Sequence, residues 1–291
     1  MRRSRLDAAK DTLINYFERT SERVYTSIQL RQLLSGNRAA WKLPQSITIG
    51  TFADFLVKET SMRRVKLFSK EYQPIIRYLW GEAAPYAVAL SLRPISFLSH
   101  GSALFMHGLT DQIPKTVYVN REQGQKSSGG GKLSQAAIDR AFSHQQRRSK
   151  YIYEYEGWRI VLLSGKFTGR LGVAKMKGSD GENLEVTDLE RTLIDVAVRP
   201  AYAGGVFAVL DAFRVARQHV SGQRLLQCLR KMAYVYPYHQ VLGFYMQRAG
   251  YKGGEYAPLK KAGLSFDFYL AHGLAEKEYD PEWRLFYPKG F

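Results

Sequence analysis

An α+β fold in two parts is what the 291 residues predict: a small helical unit ending in a basic ribbon over residues 1–80, then a larger mixed α/β domain over 81–291. Three observations predict it. Three helical apolar stripes precede residue 60; an alternating basic and apolar run follows at once; and strand-like aromatic runs mix with helical periodicities downstream. A composition 45% hydrophobic and 13% aromatic excludes a disordered chain, because that apolar surface, once buried, offsets the entropy of ordering.

Ser4 and Asp7 form a capping box, followed by Leu6, Leu13, Ile14 and Phe17 at helical spacing, so helix one runs to about Thr20. Val24-Tyr25 leads to a second capping box, Thr26 with Gln29. Ile28, Leu30, Leu33 and Leu34 make helix two, expected to stop at Ser35-Gly36-Asn37. Leu43-Pro44 forces extended backbone. Thr48 or Thr51 then starts helix three, with Phe52, Phe55 and Leu56 inward and Thr51, Asp54 and Lys58 on another face. Met62–Phe68 alternates basic and apolar residues as a half-buried strand does. Three short helices and a ribbon predict a winged helix-turn-helix, in which helix three enters the major groove. Thr48 and Thr51 then meet a phosphate or a base edge, and Lys58, Arg63, Arg64 and Lys66 neutralise the backbone.

Tyr72–Leu92 reads as a connecting helical region, with Pro85 at a first helical position. Glu122–Lys132, with its Gly/Ser-rich part at 124–131, reads as a flexible loop. Tyr151–Tyr155 and Trp158–Leu163 predict a hairpin across Glu156-Gly157. Thr187 with Glu190 is expected to cap a helix through Leu189, Leu193, Ile194 and Val196. Helices over Val206–His219, Gln223–Ala233 and 240–249 follow. Ser265–Leu270 and Trp283–Tyr287 suggest a closing hairpin.

The 43 basic and 26 acidic side chains leave a formal charge of +17. Residues 1–80 hold 15 basic and 7 acidic residues, 81–150 hold 9 and 4, and 151–291 hold 19 and 15, so the excess lies toward the N-terminal end. Such a field attracts polyanions, nucleic acid first among them. No secretory leader and no membrane span is expected, since charged residues interrupt every apolar run. One cysteine, Cys228, reads as a small core residue, and a reducing cytoplasm fits.

The familiar phosphate-binding loops are missing. His100 and His107 on one helix stand about 10 Å apart along its axis, too far for one metal ion. Gly101-Ser102-Ala103 lacks the flanking glycine of a nucleophile elbow. Glu154, Glu185, Asp188, Glu190, Asp195 and Asp267 are acids enough for a metal-dependent nuclease, the alternative function, yet Arg191 and Arg199 among them make ion pairs the plainer reading. No catalytic residue, cofactor or metal ligand is assigned.

Residues 99–119 (SHGSALFMHGLTDQIPKTVYV), 187–205 (TDLERTLIDVAVRPAYAGG), 266–270 (FDFYL) and 283–290 (WRLFYPKG) resemble the antitoxin and transcriptional regulator of AbiE-type (type IV) toxin–antitoxin systems. The resemblance implies a cytoplasmic, non-enzymatic phage-defence protein. Its winged-helix domain binds double-stranded DNA in its own promoter as a repressor, and its larger antitoxin domain opposes a nucleotidyltransferase-fold toxin. By position, Thr48, Thr51, Lys58, Arg63, Arg64 and Lys66 fall where such a domain meets DNA. The blocks in the larger domain read as a structural nucleus, with Leu104, Phe105, Leu109, Leu189, Leu193 and Ile194 packing and His107 and Asp195 accepting internal hydrogen bonds.

Overall fold

The computed structural model describes residues 4–125 and 132–291. Residues 126–131 of the expected Gly/Ser loop lie outside the described residues. In chain order the elements are α1 (Arg5–Arg19), β1 (Val24–Tyr25), α2 (Ser27–Asn37), α3 (Ile49–Glu59), β2 (Met62–Leu67), β3 (Ile75–Trp80), α4 (Pro85–Leu90), β4 (Phe97–Leu98), α5 (His100–Met106), β5 (Thr116–Glu122), α6 (Gln135–Phe142) and β6 (Ile152–Tyr155). They continue as β7 (Trp158–Gly165), β8 (Val173–Lys177), β9 (Asn183–Thr187), α7 (Leu189–Val198), α8 (Val206–Val215), α9 (Gly222–Met232), α10 (Tyr238–Arg248), α11 (Gly253–Lys260), β10 (Phe268–Tyr269), β11 (Lys277–Asp280) and β12 (Leu285–Pro288). The fold is mixed α+β. The chain divides into two compact units: one made of residues up to Ile95 with Tyr151–Ile160 and Lys177–Leu184, the other of Ser96–Lys150, Val161–Met176 and Glu185–Phe291. No helix of the described residues is long and apolar enough to cross a membrane.

In the first unit, both expected capping boxes form. Ser4 accepts from the Asp7 amide and Thr26 from the Gln29 amide, and each partner side chain returns a bond to the cap backbone. Leu13, Phe17, Leu30, Leu34, Phe52 and Leu56 meet in one core. Trp41 stacks on Phe52 with ring centroids 5.7 Å apart, and Phe17 stacks on Trp80 at 5.0 Å. Helix α2 ends at Asn37, within the expected stop at Ser35-Gly36-Asn37, and runs through Ser35-Gly36 because a helix tolerates single weak formers once Leu30 and Leu34 anchor it. Of its apolar residues, Ile28 is exposed.

The stretch Tyr72–Leu92 is not one helical region. Ile75–Trp80 is a strand, and only Pro85–Leu90 is helical, with Pro85 in its first turn. Strand β3 runs between β1 and β2, antiparallel to both, in a sheet of order β1-β3-β2. A central strand buries residues on both faces, so its apolar run shows no alternation to separate it from a helix. The expected hairpin over 151–163 forms as β6 and β7. Its turn, Glu156 (φ 44°) and Gly157 (φ 79°), has two left-handed residues in succession, as a two-residue hairpin loop requires.

In the second unit, β7, β5, β4, β9 and β8 are neighbours in that order in one sheet. Helices α7 to α10 build a core through Leu193, Ile194, Phe213, Leu225, Phe244 and Tyr245, into which Trp283 is fully buried. Two further corrections fall here. Helix α7 is capped by Asp188, which accepts from the Arg191 amide at 2.8 Å, while Thr187 ends β9. The terminal strands are not a simple hairpin: β10 pairs with β12 in parallel, and β12 makes its antiparallel pair with β11. The charged run Lys277–Asp280 hid β11, since an edge strand exposed to water needs no apolar face. Cys228 is half-buried against this core, and burial pushes its thiol up to about 11.

Candidate functional site

Thr48 is the N-cap of α3. Its Oγ1 accepts from the Thr51 amide at 3.1 Å and lies 2.9 Å from the Thr51 hydroxyl. With Phe52, Ala53 and Leu56 buried, the opposite face of α3 leaves Thr48, Thr51, Asp54 and Lys58 exposed, spaced three or four residues apart on one side of the helix. Lys58 is 84% exposed and 3.9 Å from Glu59. This face is polar, uncovered within its unit, and headed by hydroxyls at the positive end of a helix, where anions are favoured.

Strand β2 divides the basic residues between two faces, because side chains alternate along a strand. Arg64 pairs with Asp54 of α3 and lies over the ring of its cross-strand neighbour Tyr78, 5.5 Å from its centroid. The Asp54 carboxylate raises the Arg64 pKa above its ordinary value. Lys66, two residues on, shares the Arg64 face and reaches over the Phe68 ring. Arg63 points the other way, 3.5 Å from Glu82 and 3.4 Å from Glu156. Thr48, Thr51, Lys58, Arg64 and Lys66 are thus brought to one side, and Arg63 is placed apart, its charge met by two carboxylates.

Arg38 escaped the sequence reading. Its guanidinium donates to the carbonyls of Pro44 (2.6 Å) and Ile47 (2.7 Å), fastening the segment between α2 and α3 and so fixing where α3 begins. A cation nine residues from its acceptor leaves no periodic signature.

The acids considered for a nuclease are dispersed into local duties. Glu185 pairs with Arg170 at 2.8 Å, Glu190 with Arg224 at 2.7 Å, and Asp267 with Arg284 at 2.9 Å while accepting from the Tyr279 hydroxyl. The Arg284 and Tyr279 bonds hold the Asp267 carboxyl below its usual range. Asp188 is the cap already described, whereas Glu154 is exposed and its bonds to Phe68 are made by the backbone, not by its carboxylate. No group of three or more His, Cys, Asp or Glu among the described residues is disposed to hold a metal ion.

Asp195 belongs to a buried cluster in the second unit. Arg191 Nε donates to its Oδ1 at 2.9 Å, and Arg191 Nη1 to the Thr168 hydroxyl and the Leu171 carbonyl; Glu122 lies 3.7 Å from Arg191 Nη2. Burial opposes charge on Glu122, but the Thr168 hydroxyl, the Thr168 and Arg170 amides and Arg191 together hold its pKa below the ordinary value. Burial raises Asp195 in spite of Arg191. His107 closes the same region, its Nε2 2.6 Å from the Thr187 carbonyl oxygen. His100 opens α5 at φ 51°, its Nδ1 2.8 Å from the Ser99 hydroxyl.

No family model matches the chain, and no curated protein does. Among solved structures it is similar to the crystal structure of the RV2827C protein from Mycobacterium tuberculosis, with a TM-score of 0.59 and 15% sequence identity over 96% of this chain and 91% of that one. At that identity the likeness concerns the fold.

Proposed function

We propose that this chain is a DNA-binding transcriptional regulator whose first unit works as a winged helix-turn-helix, and that it is the antitoxin of a type IV toxin–antitoxin pair. The observation that supports the DNA reading best is the order α1-β1-α2-α3-β2-β3 with a β1-β3-β2 sheet, joined to an α3 face that is polar and uncovered within its unit. Helix α3 enters the major groove: Thr48 and Thr51 meet a phosphate or a base edge, Lys58 a phosphate. Asp54, released from Arg64, suits a cytosine amine. Arg64 and Lys66 on the β2–β3 ribbon follow the backbone. The N-terminal charge excess favours the same partner. The antitoxin role rests on the resemblance of the blocks at 99–119 and 187–205, and its partner is a nucleotidyltransferase-fold toxin, opposed directly or through its target.

Gel retardation of the chain's own promoter duplex across a salt series tests the first part. Retention that falls steeply with salt, and is weakened by replacing Thr51, Lys58 and Lys66 together with Ala, supports it; no retention of that duplex at low salt overturns it. Co-expression with the product of an adjacent nucleotidyltransferase-type reading frame tests the second. Restored growth supports the antitoxin role, and unrelieved toxicity removes it.

A further inference from the structure

The second unit holds a cavity of about 760 Å³ that the DNA reading does not use. Arg140 from the last turn of α6, Arg147 beyond it, and Arg199 at the C-terminal end of α7 all line it. Among the described residues, none of these three guanidiniums lies within ion-pair distance of a carboxylate; Arg199 only overlies the Tyr202 ring, 5.8 Å from its centroid. The carboxylate on the cavity wall is Asp195, 4% exposed. Its Oδ1 is taken by Arg191, but Oδ2 is buried with no hydrogen-bond partner among the described residues. A buried acceptor of that kind calls for a donor. Tyr236 adds an aromatic surface to the wall, held edge-on against Phe142 with centroids 5.3 Å apart.

We propose that this cavity binds a nucleoside phosphate. The phosphate is met by the guanidiniums of Arg140, Arg147 and Arg199, whose planar forks suit its oxygens. A ribose hydroxyl or an exocyclic base amine donates to Asp195 Oδ2, and the base lies against Tyr236. Inorganic phosphate answers only the first of these demands and a bare nucleoside only the other two. The volume falls within the roughly 300–1,000 Å³ of small-molecule sites.

Calorimetric titration of the full chain with AMP, GMP, CMP and UMP, with each parent nucleoside and with inorganic phosphate tests the assignment. At least one monophosphate binds about tenfold or more tightly than its nucleoside and than phosphate. Arg140 and Arg147 are both exposed, so the double variant Arg140→Gln/Arg147→Gln keeps its thermal unfolding profile and loses that affinity by about tenfold or more. Asp195→Asn keeps an acceptor for Arg191 and places a donor where Oδ2 stood, weakening the monophosphate while leaving phosphate binding unchanged. Absence of monophosphate binding at about 1 mM overturns the proposal. So does affinity unchanged in the double variant, or inorganic phosphate held as tightly as every monophosphate.

Discussion

Arg191 and Asp195 face each other one turn apart on α7, Nε to Oδ1 at 2.9 Å, with side chains 2% and 5% exposed. A charge pair taken this far out of water persists only because the rest of the guanidinium is also spoken for, by Thr168, by the Leu171 carbonyl and by Glu122. Removing one partner strands the other. Arg191→Met is therefore expected to lower stability by about 3–5 kcal/mol, read as a fall in the urea midpoint. A change below about 1 kcal/mol would mean that the pair behaves as if it were at the surface.

His100 gives the stability a pH dependence. Burial, then the charges of Arg199 and Arg191, push its pKa down to about 3 from an ordinary 6.5, so it stays neutral in the fold. Ser99 meets its Nδ1, and the rings of Tyr118 and Tyr202 flank it. Below pH 6.5 only the unfolded chain takes up this proton. Stability then falls as pH drops from about 6.5 toward 3, by at most about 1.4 kcal/mol per pH unit from this group. His100→Asn suits the positive φ and is expected to flatten that slope when urea midpoints at pH 7 and pH 5 are compared.

Gly243 shows its constraint without a turn. It lies inside α10 with the Trp283 ring where a Cβ would stand, and Trp283 is locked by its Nε1 bond to Gln247 at 2.7 Å. Gly243→Ala, which ought to favour a helix by about 1 kcal/mol, is expected instead to cost about 1–3 kcal/mol through overpacking. Thermal unfolding of the single variant decides the sign.

The two faces of β2 separate neighbouring cations. Lys66→Ala is expected to reduce the salt dependence of promoter binding by about one phosphate contact. Arg63→Ala, on the face held by Glu82 and Glu156, is expected to leave that slope unchanged. Equal slopes for the two variants would place the ribbon in another orientation on the duplex.

What could be read from the sequence was local. Ser4 with Asp7 and Thr26 with Gln29 lie three residues apart, and their reciprocal bonds need nothing from elsewhere in the chain. Elements that depend on distant partners were hidden: β3 because its residues from Arg77 to Trp80 are buried on both faces, β11 because its residues are left largely exposed, and β1 and β4 because two residues make no pattern. The α3 face was legible for the same reason as the caps, since helical spacing alone sorts Thr51, Asp54 and Lys58 from Phe52 and Leu56. Arg63 and Arg64 were expected together on the DNA backbone; strand alternation sets them on opposite faces, and the carboxylates that make the difference matter, Asp54, Glu82 and Glu156, are set by tertiary placement. Arg38 and the cavity around Asp195 draw on residues far apart in the chain, which no spacing reveals.

The first unit is assembled from three separate stretches, the last ending at Leu184. Vectorial synthesis therefore finishes this unit late: a nascent chain halted at residue 95 has α1 to α4 and the β1-β3-β2 sheet but none of the β6 strand that bonds to Phe68 at the end of β2. The ribosome must release just over half of the 291 residues before the ribbon acquires that neighbour.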